Sequence, residues 1–192
     1  MSLPGSIDLA AQLREHALLE GDFLLRSGRR SSYYLDKYRF ETRPELLGPI
    51  GERLAAAARE SEPGAVRLAG PALGGVALAA SASLASGLPF VIVRGEAKSY
   101  GTGNRIEGSF ERGELVCLLE DVVTSGGALA GAVEALRAED LVVRNAVCVV
   151  DREEGGADAL ARIGVRLRSL FGAADLFPAA NSGGRPSGKR PG

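Results

Sequence analysis

Leu115-Val116-Cys117-Leu118-Leu119-Glu120-Asp121-Val122-Val123-Thr124-Ser125-Gly126-Gly127-Ala128 is the stretch on which the reading of this chain turns. Residues 115–119 form an uninterrupted apolar run, the pattern of a strand buried on both faces. The run meets two adjacent carboxylates, Glu120 and Asp121. Val122 and Val123 then lead into Thr124, Ser125 and a glycine pair, and residues 128–138 carry helical apolar spacing. In open α/β sheets, ligands bind beyond the carboxyl ends of the strands. Small residues at that place let backbone N–H groups close on a phosphate, and a helix N-terminus adds favourable partial charge. The hydroxyls of Thr124 and Ser125 can donate to the same oxygens.

A phosphate leaves the acids unexplained, because two carboxylates beside an anion repel it unless they face another group. Ribose hydroxyls are suitable partners: they donate hydrogen bonds, and an ionised carboxylate only accepts them. A ribose 5-phosphate satisfies both halves of the segment at once. The plainer reading, a capped helix behind a strand with incidental acids, gives the doublet no task. The segment is neither a Walker loop, lacking Gly-Lys-Ser/Thr, nor a Gly-x-Gly-x-x-Gly dinucleotide turn.

Working outward, the same grammar repeats. Apolar runs at 66–69, 89–93, 141–150 and 165–170 alternate with helical patterns at 76–86 and 157–163. The fold class is therefore α/β, with a central, mostly parallel sheet of about five strands flanked by helices. Residues 7–19, preceded by Ser6 with Asp8 in the first turn, predict a helix that Gly21 ends. Residues 23–25 and 31–35 read as two short strands around a turn, and Pro44 opens a helix over 44–59. These N-terminal elements stand outside the alternation and are expected to form a small hood (about 1–40) over a core (about 44–178). A single domain thus spans 1–180. The stretch 94–114 has little apolar content, and loops of that length in α/β domains are usually active-site lids. Residues 181–192 have no apolar anchor and are expected to be a disordered tail.

Composition narrows the classes of function. The 192 residues carry 23 Lys plus Arg against 24 Asp plus Glu, a net charge of -1, so no global field draws nucleic acid or an anionic membrane. Any anion must be held by a local cluster. With one histidine, His16, the chain has no HExxH motif and little room for a triad. Cys117 and Cys148 lie inside apolar runs and read as buried, reduced thiols. No apolar stretch has the length of a membrane span, and residues 1–10 lack the pattern of a signal peptide, so a cytoplasmic location is expected.

The segment 115–128 resembles the phosphoribosyl pyrophosphate signature of type I phosphoribosyltransferases: apolar strand, two acids, two residues, then Thr-Ser-Gly-Gly-Ala. Two further stretches narrow the resemblance to orotate phosphoribosyltransferase. Arg94-Gly95-Glu96-Ala97-Lys98-Ser99-Tyr100-Gly101-Thr102-Gly103-Asn104-Arg105-Ile106-Glu107-Gly108 is similar to that family's flexible catalytic loop. Phe23-Leu24-Leu25-Arg26-Ser27-Gly28-Arg29-Arg30-Ser31-Ser32-Tyr33-Tyr34-Leu35 is similar to its N-terminal hairpin. Asp151-Arg152-Glu153-Glu154-Gly155-Gly156 matches the family's Asp-Arg turn.

The resemblance implies the following roles. Lys98 and Asp121 are catalytic, and Lys98 serves the neighbouring subunit's site in a homodimer. Phosphoribosyl pyrophosphate is bound by Arg26, Leu73, Gly74, Arg94, Lys98, Tyr100, Glu120, Asp121, Val122, Val123, Thr124, Ser125, Gly126, Gly127 and Ala128. Orotate is bound by Tyr34, Leu35, Thr124 and Arg152. The loop has its own physical logic: Arg94, Lys98 and Tyr100 offer donors to a charged leaving group, and Gly101 and Gly103 allow closure that excludes water. Magnesium is the expected cofactor, carried in by the substrate's oxygens without a direct protein cage.

Some positions depart from the family pattern. Gly74 and Gly95 stand where well-known members carry lysine, Glu120 replaces an aspartate, and Ser99 replaces the commoner acid. A charged hydrogen bond lost at Gly95 is worth about 1.5–3 kcal/mol. A phosphoribosyltransferase for another base, or a nucleotide-sensing relative without turnover, remains an alternative at this point.

Overall fold

The computed structural model describes residues 8–24, 28, 30–95 and 105–177. Helix α1 (Leu9–Ala17) is capped by Asp8, whose carboxylate accepts the Ala11 N–H at 3.1 Å. Leu9, Leu13 and Ala17, four residues apart, are its buried stripe. The helix stops earlier than Gly21 because Leu18 is already extended and opens strand β1 (Leu18–Leu24). That strand pairs antiparallel with β2 (Arg30–Leu35), from Leu18 opposite Leu35 to Leu24 opposite Arg30, with a register shift between Glu20 and Phe23. A short helix α2 (Tyr38–Glu41), not expected from the sequence, follows and buries Phe40 and Glu41. Helix α3 (Pro44–Ser61) starts at its proline as expected and buries Leu46, Ile50 and Leu54.

The core alternation then begins: β3 (Arg67–Pro71), α4 (Gly74–Ser86), β4 (Phe90–Val93) and β5 (Ile106–Glu107). It continues through β6 (Leu115–Val123), α5 (Gly127–Ala138), β7 (Val142–Asp151), α6 (Gly156–Arg162), β8 (Arg166–Gly172) and α7 (Ala173–Leu176). The five expected parallel strands are present. A sixth, β5, falls within the stretch expected to be loop; its two residues pair antiparallel with Ile92 and Val93. Across the sheet the order is β5-β4-β3-β6-β7-β8.

That order reverses direction between β3 and β6. The β3–α4–β4 crossover runs one way and β6–α5–β7 the other, so two right-handed crossovers put α4 and α5 on opposite faces. The packing agrees. Cys117, Leu119, Val147 and Val149 bury against α1, α3 and α4, whereas Val116, Leu118, Ala146 and Cys148 bury against α5. A crevice is left beyond the carboxyl ends of β3 and β6, where no crossover covers it. Both cysteines are buried and unpaired, and burial pushes the Cys117 thiol up to about 12. No helix among the described residues is long and apolar enough to cross a membrane. The hood's hairpin turn at 25–27, the loop at 96–104 and the tail at 181–192 lie outside the described residues.

Candidate active site

The decisive stretch sits at the switch in strand order. Strand β6 continues past the expected end at Leu119 as far as Val123, so the acidic doublet lies within the strand. Successive side chains of a strand point to opposite faces, and this separates the two acids. Glu120 lines a cavity of about 590 Å³ together with residues 122–129 and Glu154. Asp121 turns to the other side, toward Gly74 and the hood.

The floor of the cavity is the turn into α5. Gly126 has φ +79, and a Cβ built on it would lie 3.0 Å from the Gly156 carbonyl oxygen, so a side chain there is both strained and crowded. No side chain caps α5; its first-turn amides have no side-chain acceptor, and Thr124 and Ser125 stand exposed beside them. Uncapped amides at a helix start, beside two hydroxyls, are chemically suited to receive an anion.

A second cavity of about 230 Å³ shares Gly127 and Ala128 with the first and extends to Pro71, Arg94, Gly95 and Arg105. Its cations stand at the neck of the loop. The Arg94 N–H donates to the Arg105 carbonyl at 2.7 Å, and the Arg94 side chain lies 3.8 Å from Glu107. Arg105 donates to the Gly131 carbonyl at 3.3 Å. Among the described residues, nothing lies within 4 Å of a Cβ built on Gly95. Lys98 and Tyr100 lie outside the described residues, as does Arg26.

On the far side of β6, Lys37 donates to Asp121 Oδ2 at 2.6 Å. Asp121 is only 1% exposed. A Cβ built on Gly74 would lie 1.6 Å from that same oxygen and 3.0 Å from Lys37 Nζ. Glycine at 74 is thus a condition of the ion pair. The backbone holds the acids as well: Val122 N–H donates to Asp121 Oδ1 at 2.5 Å and Asp121 N–H to Glu120 Oε1 at 3.1 Å.

Glu41, from α2, completes the cluster. Its carboxyl is pushed up to about 8, first by burial and then by the charge of Asp121 and a hydrogen bond with it. Burial and the Asp121 charge push Glu120 up to about 8 as well, against the opposing pull of Lys37. Burial would lower the Lys37 pKa, but its hydrogen bond to Asp121 and the charges of Asp121 and Glu120 outweigh that and raise it. Among the described residues, no group of three or more His, Cys, Asp or Glu side chains is arranged to hold a metal ion.

The Asp-Arg turn lies next to this site. The Arg152 N–H donates to the Val123 carbonyl at 2.9 Å, tying the end of β7 to the end of β6. Its guanidinium lies 3.2 Å from Glu154 and 5.2 Å from the centre of the Phe177 ring. The ion-pair partner is therefore Glu154, which lines the larger cavity, while the Asp151 carboxylate accepts the Glu153 N–H. In the hairpin, Leu35 is buried and Tyr34 is partly exposed, its ring tilted against Phe23 at 5.5 Å.

Sequence reasoning missed Lys37, Glu41 and Arg105. Residues 36–43 are largely polar and carry no motif. The one available signal was the four-residue spacing of Lys37 and Glu41, which places opposite charges on one helical face.

No family model matches the chain. It is 50% identical over 157 residues to orotate phosphoribosyltransferase of Methanocella arvoryzae, covering 82% of this chain and 88% of that protein. The crystal structure of orotate phosphoribosyltransferase from Aeropyrum pernix superposes with a TM-score of 0.78 at 35% identity, over 88% of this chain and 95% of that one. The Mycobacterium tuberculosis enzyme, solved with 5-phospho-alpha-D-ribosyl 1-diphosphate, superposes with a TM-score of 0.72 at 32% identity, over 88% and 96% of the two chains. A split acidic pair, an uncapped glycine turn and an Asp-Arg turn meet at one crevice on this shared architecture; the chain belongs to the orotate phosphoribosyltransferase family.

Proposed function

We infer that the chain is an orotate phosphoribosyltransferase acting in pyrimidine nucleotide synthesis. It transfers the 5-phosphoribosyl group of phosphoribosyl pyrophosphate to orotate, giving orotidine 5′-monophosphate and pyrophosphate. The observation that carries this reading is the opening of Glu120 and of the uncapped turn at 124–128 onto one cavity of about 590 Å³. One end of that space suits ribose hydroxyls and the other suits a 5-phosphate.

In the reaction, orotate N1 bonds to ribose C1 as the C1–O bond to pyrophosphate breaks. The bonding electrons leave with pyrophosphate, and the N1 proton is lost. The chain's task is to bind the sugar in place, stabilise charge on the leaving group and exclude water. In this reading Glu120 and Asp121 hold the ribose, residues 124–128 hold the 5-phosphate, and Arg94, Lys98 and Tyr100 engage pyrophosphate. Arg152 and Thr124 face orotate beside Tyr34 and Leu35, a guanidinium being a good donor to a carboxylate and ring oxygens. Magnesium carried in on the donor's oxygens would supply charge neutralisation to the leaving pyrophosphate. Glu120 is the carboxylate at hand to accept hydrogen bonds from that ion's waters. The working unit is a homodimer in the cytoplasm, with each loop serving the partner's site.

The test is direct. Orotate, phosphoribosyl pyrophosphate and magnesium are mixed with the protein and the loss of orotate absorbance is followed, with purine bases in parallel. Turnover of orotate alone is expected, and its absence overturns the reading. Lys98→Ala should lower kcat by roughly a hundredfold or more while orotidine 5′-monophosphate binding changes little, because the lost contact acts on charge developed in the transition state.

A further inference from the structure

The Lys37–Asp121 pair adds a polar tie to the apolar packing that seats the hood on the core. Lys37 stands two residues beyond Leu35, at the exit of the hood's hairpin, and Asp121 stands near the end of the central strand. The pair is 2.6 Å long; the lysine side chain is 34% exposed and the aspartate 2%. Its ammonium thus has one side on a buried carboxylate and another open to solvent. It occupies the notch above the turn between β3 and α4 that Gly74 leaves bare, since a Cβ at 74 would meet both partners.

The surroundings gather carboxyl groups around that one cation. Glu120 acts on it from β6 and Glu41 from α2, and the Tyr38 ring lies 5.4 Å from Nζ. Oε1 of Glu41 is buried without a hydrogen-bond partner. Without Lys37, three carboxyl groups would share the site with no counter-charge among the groups named, and the Asp121 carboxylate would lose the donor that fixes Oδ2. An acid that takes part in binding a sugar needs a fixed orientation.

We propose that Lys37 is a positioning residue of the donor site, fixing the Asp121 carboxylate at the switch in strand order and tying that acid to the hairpin that precedes it. This rests on the reading of the crevice as the phosphoribosyl pyrophosphate site. The lysine acts through Asp121, so its effect belongs to the donor more than to orotate.

Lys37→Met and Lys37→Arg are assayed for turnover between pH 5.5 and 9, with melting temperatures measured on the same samples. Lys37→Met should raise KM for phosphoribosyl pyrophosphate and lower kcat/KM for it by about tenfold or more, the scale of a lost charged hydrogen bond, with a smaller change in KM for orotate. Its acid limb should move to higher pH, because removing the cation makes Glu120 and Glu41 harder to ionise. Lys37→Arg, which keeps the charge, should bring the limb back toward wild type. A Lys37→Met enzyme with wild-type donor kinetics and an unmoved limb overturns the proposal, as does one that merely melts earlier with the limb in place. Should Lys37→Met not fold, Lys37→Gln decides: a raised donor KM with the limb moved to higher pH supports the role, and wild-type donor KM with an unmoved limb sinks it. A wild-type protein that fails to turn over orotate sinks the underlying reading instead, so the two failures are distinct.

Discussion

Gly74 and Asp121 make the sharpest case at the scale of single residues. With 1.6 Å between the oxygen and a would-be Cβ, Gly74→Ala must push Asp121 off Lys37 or move the turn. We expect kcat/KM for phosphoribosyl pyrophosphate to fall about tenfold, the cost of a displaced charged hydrogen bond, while KM for orotate changes less. The same cluster sets a pH dependence of stability. Glu41 and Glu120 are both raised from 4.5 to about 8 in the folded chain, so each keeps its proton when the unfolded chain has lost it. Folded protein then binds more protons between those values, and stability falls as pH rises from about 4.5 toward 8. Glu41→Gln removes one of the two groups. Its melting temperature should decline less over that interval, with roughly 2–4 °C of difference for each kcal/mol recovered, as thermal melts across the pH series would reveal.

Among the elements, β6 with its turn into α5 carries the site. The strand is buried from Val116 to Asp121, and its last residues give way to a turn that needs φ +79 at Gly126. Gly126→Val would impose a left-handed backbone on a β-branched residue and drive its Cβ against the Gly156 carbonyl at 3.0 Å. The local cost is at least 1–2 kcal/mol for the conformation alone. If the turn holds the 5-phosphate, as we propose, calorimetry should find weaker binding of orotidine 5′-monophosphate as well as a lower melting temperature. The neighbouring β7 end is tied to the same place through the Arg152 N–H and Val123, so the Asp-Arg turn moves with the glycine turn.

At the level of the whole molecule, the question is which subunit supplies the loop to which crevice. The loop springs from a neck closed by Arg94 and Arg105, beside the cavity that holds Gly127 and Ala128. If it acts on the partner's site in a symmetric dimer, mixing inactive Lys98→Ala with inactive Asp121→Asn should restore activity. Random exchange makes half the dimers mixed, each with one intact site, so roughly a quarter of wild-type turnover should return. A loop acting within its own subunit restores none. Refolding the two variants together and assaying orotate consumption distinguishes these outcomes.

Much of the fold was legible because its signals are local. Continuous apolar runs and glycine- or proline-marked boundaries placed all five parallel strands, and the string from Leu115 to Ala128 marked from residue types alone the glycine turn that we propose as the phosphate site. Local signals also misled where pairing overrode them: Leu18 and Leu19 read as helix, yet β2 draws them into a strand opposite Leu35 and Tyr34. Only the tertiary structure brought Lys37 to Asp121, 84 residues away, divided the doublet between two faces of the sheet, and added β5 at its edge. Those outcomes depend on crossover handedness and strand order, which set distances between remote residues and leave no periodic trace along the chain.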